Sequence, residues 1–172
     1  EIPTAAGAYV CGPIALKSSI NLQIDGGATL QMPPYGQYPG GSSPPDFITG
    51  SSITNFEISG SGTIDGQATT SGWWQSPTLS TSARPYMIIL SKCNRLLIQN
   101  VTLENAPKMH IAFKGGVGNI TIQGITINTF GASPNTDGID LVGTNCLIQN
   151  CSISDGDDNI AFGTRSSGVA SS

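Results

Sequence analysis

Charge is scarce in this chain, at 10% of residues. Of its 172 residues, seven are Lys or Arg, eleven are Asp or Glu and one is His. The net charge of −4 leaves no basic face, which excludes nucleic acid as a partner, because phosphate binding needs concentrated cations. No apolar run approaches the roughly 20 residues that cross a bilayer as a helix, so no membrane partner is expected. None of the four cysteines, Cys11, Cys93, Cys146 and Cys151, has the Cys-x-x-Cys spacing of zinc or redox sites. Pairing of Cys146 with Cys151, two bridges, and free buried thiols all stay open. The sequence does not begin with Met, and no signal peptide is visible in it. Glu1-Ile2-Pro3 does not look like a natural start, and the chain is expected to be processed or cut.

What the chain does have is glycine, 22 of them, with abundant Ser, Thr, Ile and Asn and few long helix formers. That mixture favours strands and turns. It is also periodic. Asn55 to Ile64, Asn94 to Leu103, Asn119 to Ile127 and Asn145 to Ile153 share a pattern: Asn, alternating apolar residues, Gly or Asn, then another apolar strand. Asn21 to Leu30 is a weaker copy. Short strands recurring every mid-twenty residues are the mark of a solenoid. Each repeat forms a coil, apolar side chains alternate inward, and the next coil stacks about 4.8 Å away. Asn or Gly at each corner takes the left-handed conformation other residues resist. The expected fold is all-β, a right-handed parallel β-helix, one domain over residues 1–172, incomplete at both ends. A β-sandwich competes, but it needs no Asn corners at one period.

Two segments leave the period. One is Gln31 to Pro45. The other follows Ile64 and carries Trp73-Trp74, which either stack on sugar rings or, as the better expectation, anchor the loop to the body. The sequons at Asn100, Asn119 and Asn150 fall on coil corners, where a structural role outweighs glycosylation.

Five of the eleven acidic residues lie between Pro134 and Gly163: Asp137, Asp140, Asp155, Asp157 and Asp158. Crowded carboxylates repel and raise one another's pKa, so folds avoid them unless a cation or a reaction uses them. Aligning the inward residues Ile111, Ile139 and Ile160 in one column sets Asp137 above Asp158, one strand spacing apart. Asp157 lies alongside, able to reach the same cleft. Three such groups can ligate a hard cation or divide acid and base duties in glycosidic cleavage. Asp140 and Asp155 are expected to be turn residues or are left open. His110 falls one rung from Asp137, as a substrate contact or a hydrogen-bonded histidine at the groove edge. Lys108, Lys114 and Arg165 are candidate partners for sugar carboxylates, although strand alternation does not put all three on one face.

Asn135-Thr136-Asp137-Gly138 and Gly156-Asp157-Asp158 resemble the first two signature motifs of the polygalacturonases, glycoside hydrolase family 28. Cys11-Gly12-Pro13-Ile14-Ala15-Leu16-Lys17, Gly26-Gly27-Ala28-Thr29-Leu30, Gly62-Thr63-Ile64-Asp65-Gly66 with Trp73-Trp74, and Asn105-Ala106-Pro107 extend the resemblance over nearly the whole chain. The resemblance implies a parallel β-helix and inverting hydrolysis of α-1,4 bonds between galacturonic acid units of pectin. It makes Asp157 the general acid, gives Asp137 and Asp158 the attacking water, and has Asn135 shape the site. It implies no metal or organic cofactor. It implies secretion to the cell wall, and the complete protein is expected to act as a monomer. The family's third motif, Gly-His-Gly, and its fourth, Arg-x-Lys, are not found; their place lies beyond Ser172. The family's opening ahead of Gly7-Ala8-Tyr9-Val10 is missing too. A middle fragment is therefore expected, holding the carboxylates without the cationic half of the site. Asn159 stands where many members have Cys, a change expected to affect packing. The alternatives are a non-catalytic β-helix, either polysaccharide-binding or an inactive polygalacturonase-like protein, should the chain end at Ser172, and a calcium-dependent pectate lyase, against which the Asn-Thr-Asp-Gly motif argues.

Overall fold

The computed structural model describes residues 1–74 and 83–163. Three parallel sheets wrap one core. The first holds β1 (Tyr9–Val10), β4 (Thr29–Gln31), β7 (Thr63–Asp65), β10 (Thr102–Glu104), β13 (Thr126–Asn128) and β16 (Ser152–Ser154). The second holds β2 (Ile14–Ala15), β5 (Ile48–Ser51), β8 (Ile88–Ser91), β11 (Ile111–Lys114), β14 (Ile139–Leu141) and β17 (Ile160–Phe162). The third holds β3 (Asn21–Gln23), β6 (Thr54–Ser59), β9 (Asn94–Gln99), β12 (Val117–Gln123) and β15 (Gly143–Gln149). Each strand pairs with the strand three places along the chain, so every coil visits each sheet once. This is the parallel β-helix.

Like residues stack on like. Inward columns run Ile58, Ile98, Ile122, Ile148 in the third sheet and Ile48, Ile88, Ile111, Ile139, Ile160 in the second. Burying one such side chain contributes about 1.5–3 kcal/mol, and Ile58, Ile98, Ile122, Ile88 and Ile111 are fully buried. On the outside, Gln99 donates to Glu57, Gln123 to Gln99 and Gln149 to Gln123, a side-chain ladder that ends on the Glu57 carboxylate. At the last described coil Ile148 and Ile153 are only half-buried, and Phe162 is exposed.

Corners carry the left-handed residues, with one correction to the repeat. Asn119 pairs with Arg95, not with Asn94, because Gly118 lies opposite Asn94. Arg95 therefore occupies that corner at φ 55°, in line with Asn55, Asn119 and Asn145. Ser19, two residues before Asn21, takes the same corner in the weaker copy. Asn100, Gly124 and Asn150 form the next corner, all at positive φ. All four cysteines are free thiols. Trp73 is buried edge-on against Tyr35 and Tyr38 and pins two loops together. Trp74 donates its indole N–H to the carbonyl of Ala106 and stacks on Phe130.

Candidate active site

The two acidic motifs occupy equivalent places on adjacent coils. Ile139 pairs with Ile160, and the Gly138 N–H donates to the Asp158 carbonyl at 3.0 Å. Asp137 thus lies directly over Asp158. One carboxylate oxygen each from Asp137, Asp157 and Asp158 lie within 4.8 Å of one another. Asp157 and Asp158 are exposed, while Asp137 is only 7% exposed.

Glycine makes this approach feasible. A Cβ on Gly156 would come within 2.1 Å of the Ser133 carbonyl oxygen, and one on Gly138 within 2.6 Å of that of Asn159. Hydrogen bonds then lock the coils. The Thr136 hydroxyl donates to the Ser133 carbonyl and accepts the Gly156 N–H. The Asn135 N–H donates to Asp157 Oδ2 at 3.1 Å, and the Asp158 N–H to Asp157 Oδ1 at 3.1 Å. Asp155 accepts the Asp157 N–H at 3.1 Å, so it shapes the turn. Its other oxygen is buried without a partner; burial raises its pKa, as does the charge of Asp157.

Burial also raises the pKa of Asp137 above the usual carboxylate value, and the charges of Asp157, Asp140 and Asp158 add to the effect against a backbone hydrogen bond that opposes it. Like charges this close disfavour a further charge, so Asp137 holds a proton more readily than an isolated aspartate would. The same oxygens suit a hard cation such as calcium, so the geometry alone admits either chemistry.

His110 is not at the groove surface. It is 0% exposed, a hydrogen-bonded histidine beneath the surface rather than on the groove edge. Nδ1 faces the carbonyl oxygens of Thr136 and Asp137 at 3.0 and 3.2 Å. Carbonyls only accept, so Nδ1 carries the proton. Nε2 then accepts the Thr129 hydroxyl at 2.7 Å, and Thr129 accepts the Asn105 N–H. Burial pulls the pKa of this neutral imidazole down to about 4, against the hydrogen bonds to Asp137 and Thr136. The residue braces the backbone that carries Asp137.

Sequence reasoning missed Arg84. It is 4% exposed and donates to the carbonyls of Pro107 at 2.9 Å and Pro134 at 2.7 Å, and to Asn135 Oδ1 at 2.8 Å. A buried guanidinium holding three neutral acceptors fixes Asn135, which itself holds Asp157. Burial lowers its pKa, but an arginine stays charged. The one signal was a cation with no acidic neighbour in sequence. Arg165 lies outside the described residues.

The family model of glycosyl hydrolases family 28 matches residues 1–171. An endo-polygalacturonase of Pectobacterium carotovorum subsp. carotovorum is 33% identical over 185 residues, which is 92% of this chain and 45% of that protein. A polygalacturonase of Juniperus ashei is 36% identical over 126 residues, 68% of this chain and 24% of that protein. The structure of a polygalacturonase from Erwinia carotovora ssp. carotovora superposes with a TM-score of 0.78 at 30% identity, covering 90% of this chain and 47% of the other. The chain spans less than half the length of these relatives.

Proposed function

Because this chain belongs to glycosyl hydrolases family 28, we propose that it carries the acid/base centre of an enzyme that hydrolyses α-1,4 bonds between galacturonic acid units of pectin. The observation that carries this reading is the convergence of Asp137, Asp157 and Asp158 within 4.8 Å on adjacent coils. Asp157, exposed and oriented by two backbone N–H groups, protonates the leaving oxygen. Asp137 and Asp158, stacked one above the other, hold a water and take its proton as it attacks the anomeric carbon. Asn135, fixed by Arg84, keeps Asp157 aimed. The water attacks opposite the leaving group, so the sugar configuration inverts. The enzyme works outside the cell, where pectin is found.

One observation favours a second stereochemical course. Inverting glycosidases customarily separate their two carboxyl groups by about 6.5–9.5 Å and retaining ones by about 5–5.5 Å. One oxygen from each carboxylate lies within 4.8 Å of the others, nearer the retaining range. A trio relaxes it, because the water fits between Asp137 and Asp158 rather than between the acid and a single base.

The test is release of reducing ends from polygalacturonate by the full-length protein. Activity should survive a chelator and fall by at least two orders of magnitude, the lower range of acid–base contributions, in Asp157→Asn. Unsaturated products that vanish on chelation would mean a calcium-dependent lyase. Full activity in Asp157→Asn would remove the role given to that residue.

A further inference from the structure

Two of the seven basic residues in this chain meet at one aromatic ring. Lys108 precedes β11 and Lys114 ends it, six residues apart. The Lys108 ammonium lies 4.4 Å from the centre of the Tyr86 ring and donates to its hydroxyl at 3.2 Å. The Lys114 ammonium lies 4.7 Å from the same centre. Tyr86 and Lys108 are half-buried and Lys114 is exposed. Cation–π attraction of about 0.5–1 kcal/mol per exposed contact is a small return for bringing like charges together. Beyond Tyr86 and the charge of Asp140, both ammonium groups keep N–H donors that one further anion can reach.

The register places this cluster on the sheet face that carries the carboxylates. Ile48, Ile88, Ile111, Ile139 and Ile160 form one column. Two residues before them stand Asp46, Tyr86, Met109, Asp137 and Asp158. Tyr86 therefore shares the column of the catalytic pair, two coils from Asp137, which is about 10 Å. The lysines are also felt electrostatically at Asp140, where they oppose the rise that burial causes. Asp140 in turn acts on Asp137. Positive charge at Lys108 and Lys114 is thus continuous with negative charge at the carboxylate trio along one face.

We propose that Lys108, Lys114 and Tyr86 form a subsite for the free carboxylate of a sugar unit bound beside the one whose bond is cleaved. Lys108 uses one of its three N–H donors on Tyr86 and keeps the others for the ligand. A methyl-esterified unit carries no charge there and loses both contacts, so the subsite selects de-esterified polymer. The inference rests on the hydrolase reading for its role in catalysis but not for its binding chemistry.

The experiment uses the full-length protein with Lys114→Gln, Lys108→Gln and, as the rescue, Lys114→Arg. Binding of a de-esterified oligogalacturonide to the Asp157→Asn background is measured by calorimetry, beside KM and kcat in the active background on polygalacturonate and on highly methylated pectin. Each Gln variant should weaken oligogalacturonide binding roughly ten-fold. KM on polygalacturonate should rise by a similar factor with kcat little changed, the signature of lost uniform binding. The methylated substrate should be unaffected, and Lys114→Arg should recover most of the loss. Unchanged binding in both Gln variants overturns the subsite, as does an equal loss on both substrates. If the wild type binds the oligogalacturonide but cleaves nothing, the hydrolase reading fails, and the calorimetry still decides the subsite.

Discussion

Asp137→Asn should raise stability at neutral pH while it removes a group assigned to catalysis. One oxygen each of Asp137, Asp157 and Asp158 lie within 4.8 Å. Two unit charges at that separation repel by about 1 kcal/mol in water-like surroundings and by about 3–4 kcal/mol at an effective dielectric near 20. Asp157 and Asp158 are exposed, so the water-like figure applies to each pair, and the two together give about 2 kcal/mol. Desolvation of the 7% exposed Asp137 acts in the same direction. A neutral amide of the same shape relieves both, for a gain of about 1–3 kcal/mol, or very roughly 2–12 °C in Tm for a domain of this size. The pKa of Asp137 is raised in the folded state above its ordinary value of 3.8. The wild type therefore has its relative advantage below pH 3.8 and loses it as pH rises through the folded pKa. The variant does not titrate there. Its gain should be full at pH 7 and absent at pH 3. Calorimetric unfolding of both proteins between those limits reads this directly, and added salt should shrink the gain. A variant no more stable than wild type at pH 7, or equally stabilised at pH 3, refutes the reasoning.

Arg84→Met should cost about 3 kcal/mol or more, because the carbonyls of Pro107 and Pro134 and the Asn135 amide oxygen lose one buried donor group. Arg84→Lys should restore only part, since an ammonium cannot match the planar fork. Denaturant midpoints measure both, and a loss under about 1 kcal/mol for Met would contradict the role. His110 titrates near 4 in the fold against an ordinary 6.5, so wild-type stability should fall as pH drops from 6.5 towards 4. His110→Gln should be less stable at pH 7 but show a flatter decline over that window; parallel curves would exclude His110 as its source. Asn119 sits at φ 52° and bonds Asn94 and Asn145. Asn119→Ala loses the ladder and pays a left-handed cost of about 1–2 kcal/mol, which Asn119→Gly escapes. Unfolding midpoints should rank wild type above Gly above Ala, and Ala at or above Gly would show that the corner conformation is not what matters.

The repeat was legible because stacking forces chemically similar residues into columns. Ile111, Ile139 and Ile160 share one, and that register alone set Asp137 over Asp158. Corners were legible to within a residue. Asn94 misled because the true corner, Arg95, is a residue type that rarely adopts positive φ, so the Asn-to-Asn period concealed a one-residue offset. His110 misled for another reason. Period-two alternation begins with β11 at Ile111, and His110 lies on the bend before it, where the chain turns its side chain inward. Arg84 was invisible because its partners lie 23, 50 and 51 residues away, and a single cation has no periodicity. The meeting of Lys108 and Lys114 depends on long side chains folding towards a ring in the next coil, which alternation along a strand does not encode.

The central claim is that a water held between Asp137 and Asp158 attacks while Asp157 protonates the leaving oxygen. The configuration of the first-formed product tests it most directly. Proton NMR of a galacturonide digest, recorded before mutarotation sets in, should show the β-anomer released from the α-linked substrate. Initial release of the α-anomer would contradict the account and assign one of the three aspartates as a covalent nucleophile.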